Sequence, residues 1–273
     1  MKGSDSTLNK TVVDRVGRSV TYHYPPKRIV SLCPGITDTL LSLGLEEKIV
    51  GRTRFCIHPK GIVERIPAVA GTKDIKLEAI IDVKPDLIIV EKEENTKEIV
   101  EELEKHIPVY VAEVQSVDEA FQMIEDMGDL TDQKEAAVKL VSTIQQEFDS
   151  LPKALGKRIA YVIWRKPYMV VGKDTYINSL LNKMGFTNPF TEADGRYPAV
   201  TAEVFQKANL DYVFLASEPF PFKEKHLNEF TAIMPNTKPI LVDGEMFWYG
   251  PRMLEAAQYF KQLFCDELGF IVD

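Results

Sequence analysis

The chain has 273 residues but only three cysteines, Cys33, Cys56 and Cys265, widely spaced and in no CxxC pair. That pattern excludes a disulfide framework and a zinc ribbon. Its four histidines, His23, His58, His106 and His226, form neither HxH nor HExxH, which argues against a dedicated multi-histidine metal site. No apolar run approaches the roughly 18–20 residues that span a bilayer, and the purest one, around Leu87–Val90, is short. There is no Lys/Arg run and the net charge is −8, so nucleic acid and anionic membrane surfaces are poor partners. GxGxxG, GxSxG and the P-loop pattern are missing as well. A Cys56–His58 dyad is unattractive, because residues two apart on a strand are rarely oriented as nucleophile and base. The chain therefore reads as a binder and not an enzyme. Its first ten residues, MKGSDSTLNK, are polar and carry no apolar signal core. Two localisations stay open: cytoplasmic, or periplasmic or otherwise extracytoplasmic after removal of a leader.

What is present is an ordinary globular balance, 45% hydrophobic and 27% charged residues. Thr11–Tyr24 alternates, turns at Val16-Gly17 and alternates again, which predicts a β-hairpin. Short apolar strand patterns then alternate with helical ones: RIVSL from Arg28, DLIIV from Asp86, RIAYVIW from Arg158 and YVFLA from Tyr212. Such alternation predicts parallel sheets covered on both faces. Between Gly128 and Pro152 the spacing of Ala137, Leu140, Val141, Ile144 and Phe148 predicts one uninterrupted helix, with Thr131 as its cap. The expected organisation is α/β: a lobe over 1–130 led by the hairpin, a connecting backbone helix over 131–152, and a second lobe over 153–273.

The two halves echo each other. LEAIIDVKPDLIIV (77–90) aligns without gaps on AEVFQKANLDYVFL (202–215), placing Glu78 over Glu203 and Asp86 over Asp211. Two related lobes on one rigid connector place a ligand cleft between them. In alternating α/β folds the ligand meets loops at the carboxyl ends of strands. Those loops carry Cys33, Pro34, Arg54, Phe55 and Lys73 in the first half. In the second they carry Trp164, Tyr168, Arg196, Tyr197, Phe220, Phe247, Trp248, Tyr249 and Arg252, with both tryptophans of the chain among them. Aromatic side chains clustered in loops suit a broad, flat, apolar ligand, and the arginines suit anionic or amide oxygens. Cys56 and His58 are weaker metal-ligand candidates; a packed thiol and a rim histidine are the plainer assignment.

The ordered series, from VVDRVGRSVTYHYPPKRIVSL through LEAIIDVKPDLIIV to PILVDGEMFWYGPRMLEAA, resembles ABC-transporter substrate-binding proteins of the helical-backbone type. That type handles vitamin B12, ferric siderophores and haem. The resemblance covers nearly the whole chain from Thr11. GRTRFCIHP and VDGEMFWYG look closest to cobalamin-binding members. It implies two Rossmann-like lobes joined by one long backbone helix, and a monomer that binds a cobalamin-like ligand or another metal chelate in the inter-lobe cleft. It implies no intrinsic cofactor. It further implies transient docking on an inner-membrane ABC permease through Glu78 and Glu203. A ferric-siderophore or haem binder of the same fold, or a cytosolic sequestering protein without a permease, are the alternatives.

Overall fold

The computed structural model describes residues 8–270. The chain folds as two compact units, Met1–Val114 with Glu119–Ser142, and Gln115–Asp118 with Thr143–Asp273. The first contains β1 (Leu8–Val13), β2 (Ser19–Tyr24), β3 (Ile29–Ser31), α1 (Pro34–Ser42), β4 (Ile49–Thr53), β5 (Ala68–Ala70), α2 (Leu77–Asp82), β6 (Leu87–Glu91), α3 (Lys97–Leu103) and β7 (Val109–Ala112). Next come α4 (Val117–Thr131) and α5 (Lys134–Asp149), within which the unit boundaries fall. The second unit continues with β8 (Ile159–Trp164), β9 (Tyr168–Val170), α6 (Tyr176–Lys183), β10 (Ala199–Val200), α7 (Ala202–Lys207), β11 (Tyr212–Ala216), α8 (Glu224–Ile233), β12 (Lys238–Val242) and α9 (Met253–Leu263). Among the described residues no helix is long and apolar enough to cross a membrane.

The first unit's sheet has the order β5-β4-β3-β6-β7 and is parallel throughout. The interior strand β6 explains why: Leu87, Ile88, Ile89 and Val90 are all fully buried, as a strand covered on both faces requires. The predicted hairpin is β1–β2, with Gly17 at φ 83° in the turn. Asp14 holds it, accepting from the Val16, Arg18 and Val111 amides and thereby tying the turn to β7.

The second sheet, β10-β9-β8-β11-β12, is parallel only in β8, β11 and β12. β9 returns antiparallel beside β8, and β10 antiparallel beside β9. The expectation of parallel sheets alone thus fails at this edge, where a three-residue connection, 165–167, lets the chain turn straight back from β8 into β9.

The single helix expected over 131–152 is also corrected. Gly128 does not stop a helix; it lies inside α4, where a Cβ would come within 2.5 Å of the Ala137 Cβ. Thr131 is not an N-cap but closes α4, its hydroxyl donating to the Met127 carbonyl at 2.6 Å. Asp132 takes φ 63° and the Gln133 amide donates back to the Gly128 carbonyl at 2.8 Å, the left-handed stop typical of helix C-termini. The backbone helix is therefore α5 alone. Ala137, Val141, Ile144 and Phe148 are its buried face, and Leu140 is half-buried.

Candidate functional site

The internal repeat has a three-dimensional counterpart. α2 and α7 are both six-residue helices with an exposed glutamate, Glu78 or Glu203, in the first turn. Each buries one residue, Ile80 or Phe205, at the aligned position. Each ends in a left-handed residue, Lys84 at φ 47° or Asn209 at φ 49°. The aligned aspartates then close the same loop. Asp86 accepts from the Lys27 and Arg28 amides at 2.8 and 2.9 Å, and its own amide donates to the Arg28 carbonyl. Asp211 accepts from the Arg158 amide at 2.8 Å, and its amide donates to the Arg158 carbonyl. Burial pushes the Asp211 carboxyl up, but the Arg158 amide and the Lys157 ammonium at 2.9 Å bring it below the usual carboxylate range.

In the first unit the loops after β3, β4 and β5 carry the predicted residues. Pro34 opens α1 and is half-buried, whereas Cys33 is only 1% exposed and belongs to the interior. After β4, Phe55 is 45% exposed, with the Arg54 guanidinium 4.8 Å above its ring centre and 3.1 Å from Asp74. Gly71 lies beside them with no Cβ to meet the Asp74 carboxylate, which packs over its backbone. Lys73 is exposed and donates to the Glu93 carbonyl. Cys56 is buried with its thiol 3.1 Å from the Thr37 hydroxyl and 3.2 Å from that of Thr53. Burial pushes the thiol pKa up, which disfavours the thiolate a metal ligand needs. His58 is half-buried.

Two residues there escaped the sequence reading. Glu91 ends β6, 2% exposed, and its carboxyl accepts from the Glu93, Glu94 and Val114 amides. Burial outweighs those donors and raises its pKa to about 7. Asn95 donates to the Leu32 and Thr72 carbonyls and so joins the ends of β3 and β5 to β6. A glutamate straight after four apolar strand residues was a usable signal; nothing local marked Asn95.

In the second unit, Trp164 ends β8 and is 41% exposed. Its ring meets Phe220, after β11, edge to face at 5.7 Å. Phe220 in turn stands 4.7 Å from Phe222, which is buried against Phe230. The β8–β9 turn that carries Trp164 is pinned by Glu229. This carboxylate accepts from the Tyr168 hydroxyl, and from Arg165 through Nε at 2.9 Å and Nη2 at 2.8 Å. Burial pushes Glu229 up, but these partners more than offset it and hold it below the usual range. Tyr168 is thus an anchor whose ring packs on Phe205 and Phe230, not an open ligand surface.

Three further predicted residues move. Phe247 is 2% exposed and fills the interior between Tyr161, Phe214 and Phe260. Arg196 and Tyr197 enter β10 at its amino end, beside Gly172, and so flank the opposite end of the edge strands from Trp164 and Tyr168. The half-buried Trp248 and Tyr249 follow β12. The Trp248 indole N–H donates to Glu218, and Tyr249 lies 5.6 Å from Tyr176. Gly244 makes room for Glu218: a Cβ there would sit 2.4 Å from its Cγ. Arg252 is largely buried, 3.4 Å from Glu245 and 3.5 Å from Glu255, and its Nε is a buried donor with no acceptor among the described residues. Among the described residues no three His, Cys, Asp or Glu side chains group so as to hold a bare metal ion.

Against known proteins, a family model described as periplasmic binding protein matches residues 29–232. An uncharacterized ABC transporter substrate-binding lipoprotein of Bacillus subtilis is 29% identical over 217 residues, covering 74% of this chain and 68% of the relative. A vitamin B12-binding protein of Vibrio parahaemolyticus is 26% identical over 184 residues, 66% of each. The chain thus spans about two thirds of the length of these curated relatives. The crystal structure of a possible iron-binding, periplasmic solute-binding protein of Staphylococcus epidermidis superposes with a TM-score of 0.74 at 26% identity, covering 87% of this chain and 98% of that one.

Proposed function

This chain belongs to the periplasmic binding protein family, and from that premise we propose that it captures a cobalamin-like corrinoid outside the cytoplasm and delivers it to an ABC permease. The family's members are substrate-binding components of transporters, so the chain's work is capture and release, without turnover. The observation that carries the ligand assignment is the half-exposed pair of Trp164, beside the turn clamped by Glu229, and Phe220, in the loop after β11. A large apolar surface held rigid in water costs little entropy when a flat ring stacks on it. The B12-binding relative supports the same direction.

Calorimetric titration with cyanocobalamin, with tryptophan fluorescence read in parallel, tests this. Saturable one-to-one binding is expected, with quenching that disappears in Trp164→Phe. Absence of binding by ligand-free protein would remove cyanocobalamin. A ferric siderophore or haem would then take its place, a reading favoured by the exposed Arg54 guanidinium over Phe55. For delivery, the supporting feature is the matched pair of exposed acids, Glu78 and Glu203, one in each unit. Paired charges fix register and speed encounter more than they add affinity.

A further inference from the structure

A six-residue helix is far too short to hold itself together in water, so α2 and α7 depend on what grips them. Both are gripped at the carboxyl end by an arginine from the residue just before a central strand. Arg28 precedes β3; its Nε donates to the Val83 and Lys84 carbonyls at 3.1 and 3.0 Å, and its Nη2 to the Val83 carbonyl at 2.7 Å. Arg158 precedes β8; its Nε donates to the Ala208 carbonyl at 3.0 Å. Val83 and Ala208 are the aligned C-cap residues of the repeat. Carbonyls at this end lack intrahelical donors, and a cation there also complements the helix dipole. Asp86 and Asp211 hold the backbone of the same arginines, so each guanidinium is aimed from a fixed base.

The two clamps differ in how much else supports the helix. α7 has an N-cap: the Thr201 hydroxyl accepts from the Val204 amide at 3.4 Å. At α2 the N-cap position holds Lys76, which makes no side-chain cap bond. The helix with no cap has three guanidinium bonds, and the capped helix has one.

We propose that Arg28 and Arg158 are positioning residues for permease docking: each holds in place the short helix that presents Glu78 or Glu203, and α2 relies on its arginine more than α7 does. This rests on the docking role assigned above to the two glutamates. No role in ligand capture is implied, since each arginine sits at the amino end of its sheet strand, β3 or β8, away from the loops that follow the strands of the five-stranded sheets.

The test uses the full purified chain in two measurements. Hydrogen exchange is followed at the α2 and α7 amides, and docking is measured on the cognate ABC permease in lipid nanodiscs. Arg28→Gln should speed exchange of the Ile81, Asp82 and Val83 amides about tenfold, the scale of losing a helix cap, and leave α7 unchanged. Arg158→Gln should do the same to α7 more weakly. Arg28→Lys, which keeps a donor and the charge, should recover part of the protection. Docking by Arg28→Gln should weaken toward that of Glu78→Gln, with cyanocobalamin affinity unchanged. Unchanged exchange in Arg28→Gln overturns the clamp. Faster exchange with docking intact, while Glu78→Gln docks poorly, overturns its positioning role. If Glu78→Gln and Glu203→Gln both dock normally, the docking reading itself fails and the positioning role falls with it, whatever the exchange shows.

Discussion

The aligned strands β6 and β11 run in the same register behind the same kind of clamp, and they part company at their last residue. β6 ends in buried Glu91, β11 in buried Ala216. Before that point the units share a short acidic helix, a left-handed stop and an aspartate that holds an arginine's backbone. After it the chemistry differs. The first unit closes its loops with buried polar groups, Glu91 and Asn95 accepting and donating to backbone. The second closes them with rings, Trp164, Phe220 and Phe222. The shared half is the scaffold that carries Glu78 and Glu203, and the divergent half is where selectivity for a ligand has room to be set.

The comparison breaks most visibly in the shared cores. Phe205 packs edge-on to Tyr168, Phe190 and Phe230, whereas its counterpart Ile80 sits among aliphatics such as Ile88 and Val90. Phe205→Ala should cost about 3–5 kcal/mol and Ile80→Ala about 2–5, with the larger loss at Phe205. Denaturant unfolding followed by tryptophan fluorescence reads the second unit directly, since Trp164 and Trp248 both lie in it. Equal losses would mean the aromatic cluster adds nothing beyond its volume.

Glu91 sharpens the contrast through pH. Its folded pKa is raised to about 7 from an ordinary 4.5. Between those values the unfolded chain has lost the proton and the folded chain keeps it, so native stability falls as pH rises through the window. The loss levels off above about pH 7 and amounts to roughly 3 kcal/mol at most. Glu91→Gln does not titrate. The stability difference, wild type minus Glu91→Gln, should therefore decline from pH 4.5 to 7. Parallel curves across that range would show that the carboxyl is not held protonated.

The third contrast is Gly244, whose missing Cβ admits Glu218 beneath the Trp248 indole. Gly244→Ala should displace Glu218 and cost about 1–3 kcal/mol, the range for overpacking. A shifted Trp248 emission is the readout, and an unchanged spectrum with unchanged stability would show that the loop simply moves aside.

Much of this was legible in the chain itself. The hydrophobic runs located β3, β6, β8 and β11, because strands buried on both faces need unbroken apolar stretches. The gapless repeat found Glu78 and Glu203, because a duplicated helix–strand turn preserves spacing. What failed has physical reasons. A glycine at a helix boundary and a glycine at a close helix crossing look alike in sequence, and only the Ala137 contact assigns Gly128 to the second. The antiparallel course of β9 is a matter of chain direction, which a three-residue apolar segment does not encode. β5 and β10, at three and two residues, are too short for any period. Among the aromatics, Phe220 and Phe247 look alike in sequence. Phe220 is half-buried beside Trp164, while Phe247 is turned into the interior against Tyr161 and Phe260.

The smallest expected effect is the most informative about the shared half. Glu78 and Glu203 are exposed, and exposed charges away from caps and networks move stability by only about 0.5 kcal/mol either way. Each does lie in a first helical turn, where a carboxylate is worth about 0.3–1 kcal/mol against the helix dipole. A helix of six residues has little dipole to complement, so the lower figure applies. Glu78→Ala with Glu203→Ala should therefore leave the melting temperature within a degree or two and cyanocobalamin affinity unchanged, while uptake by the intact transporter falls. A large drop in ligand affinity would move the two acids from the scaffold into the binding surface. The halves would then differ less in purpose than their geometry implies.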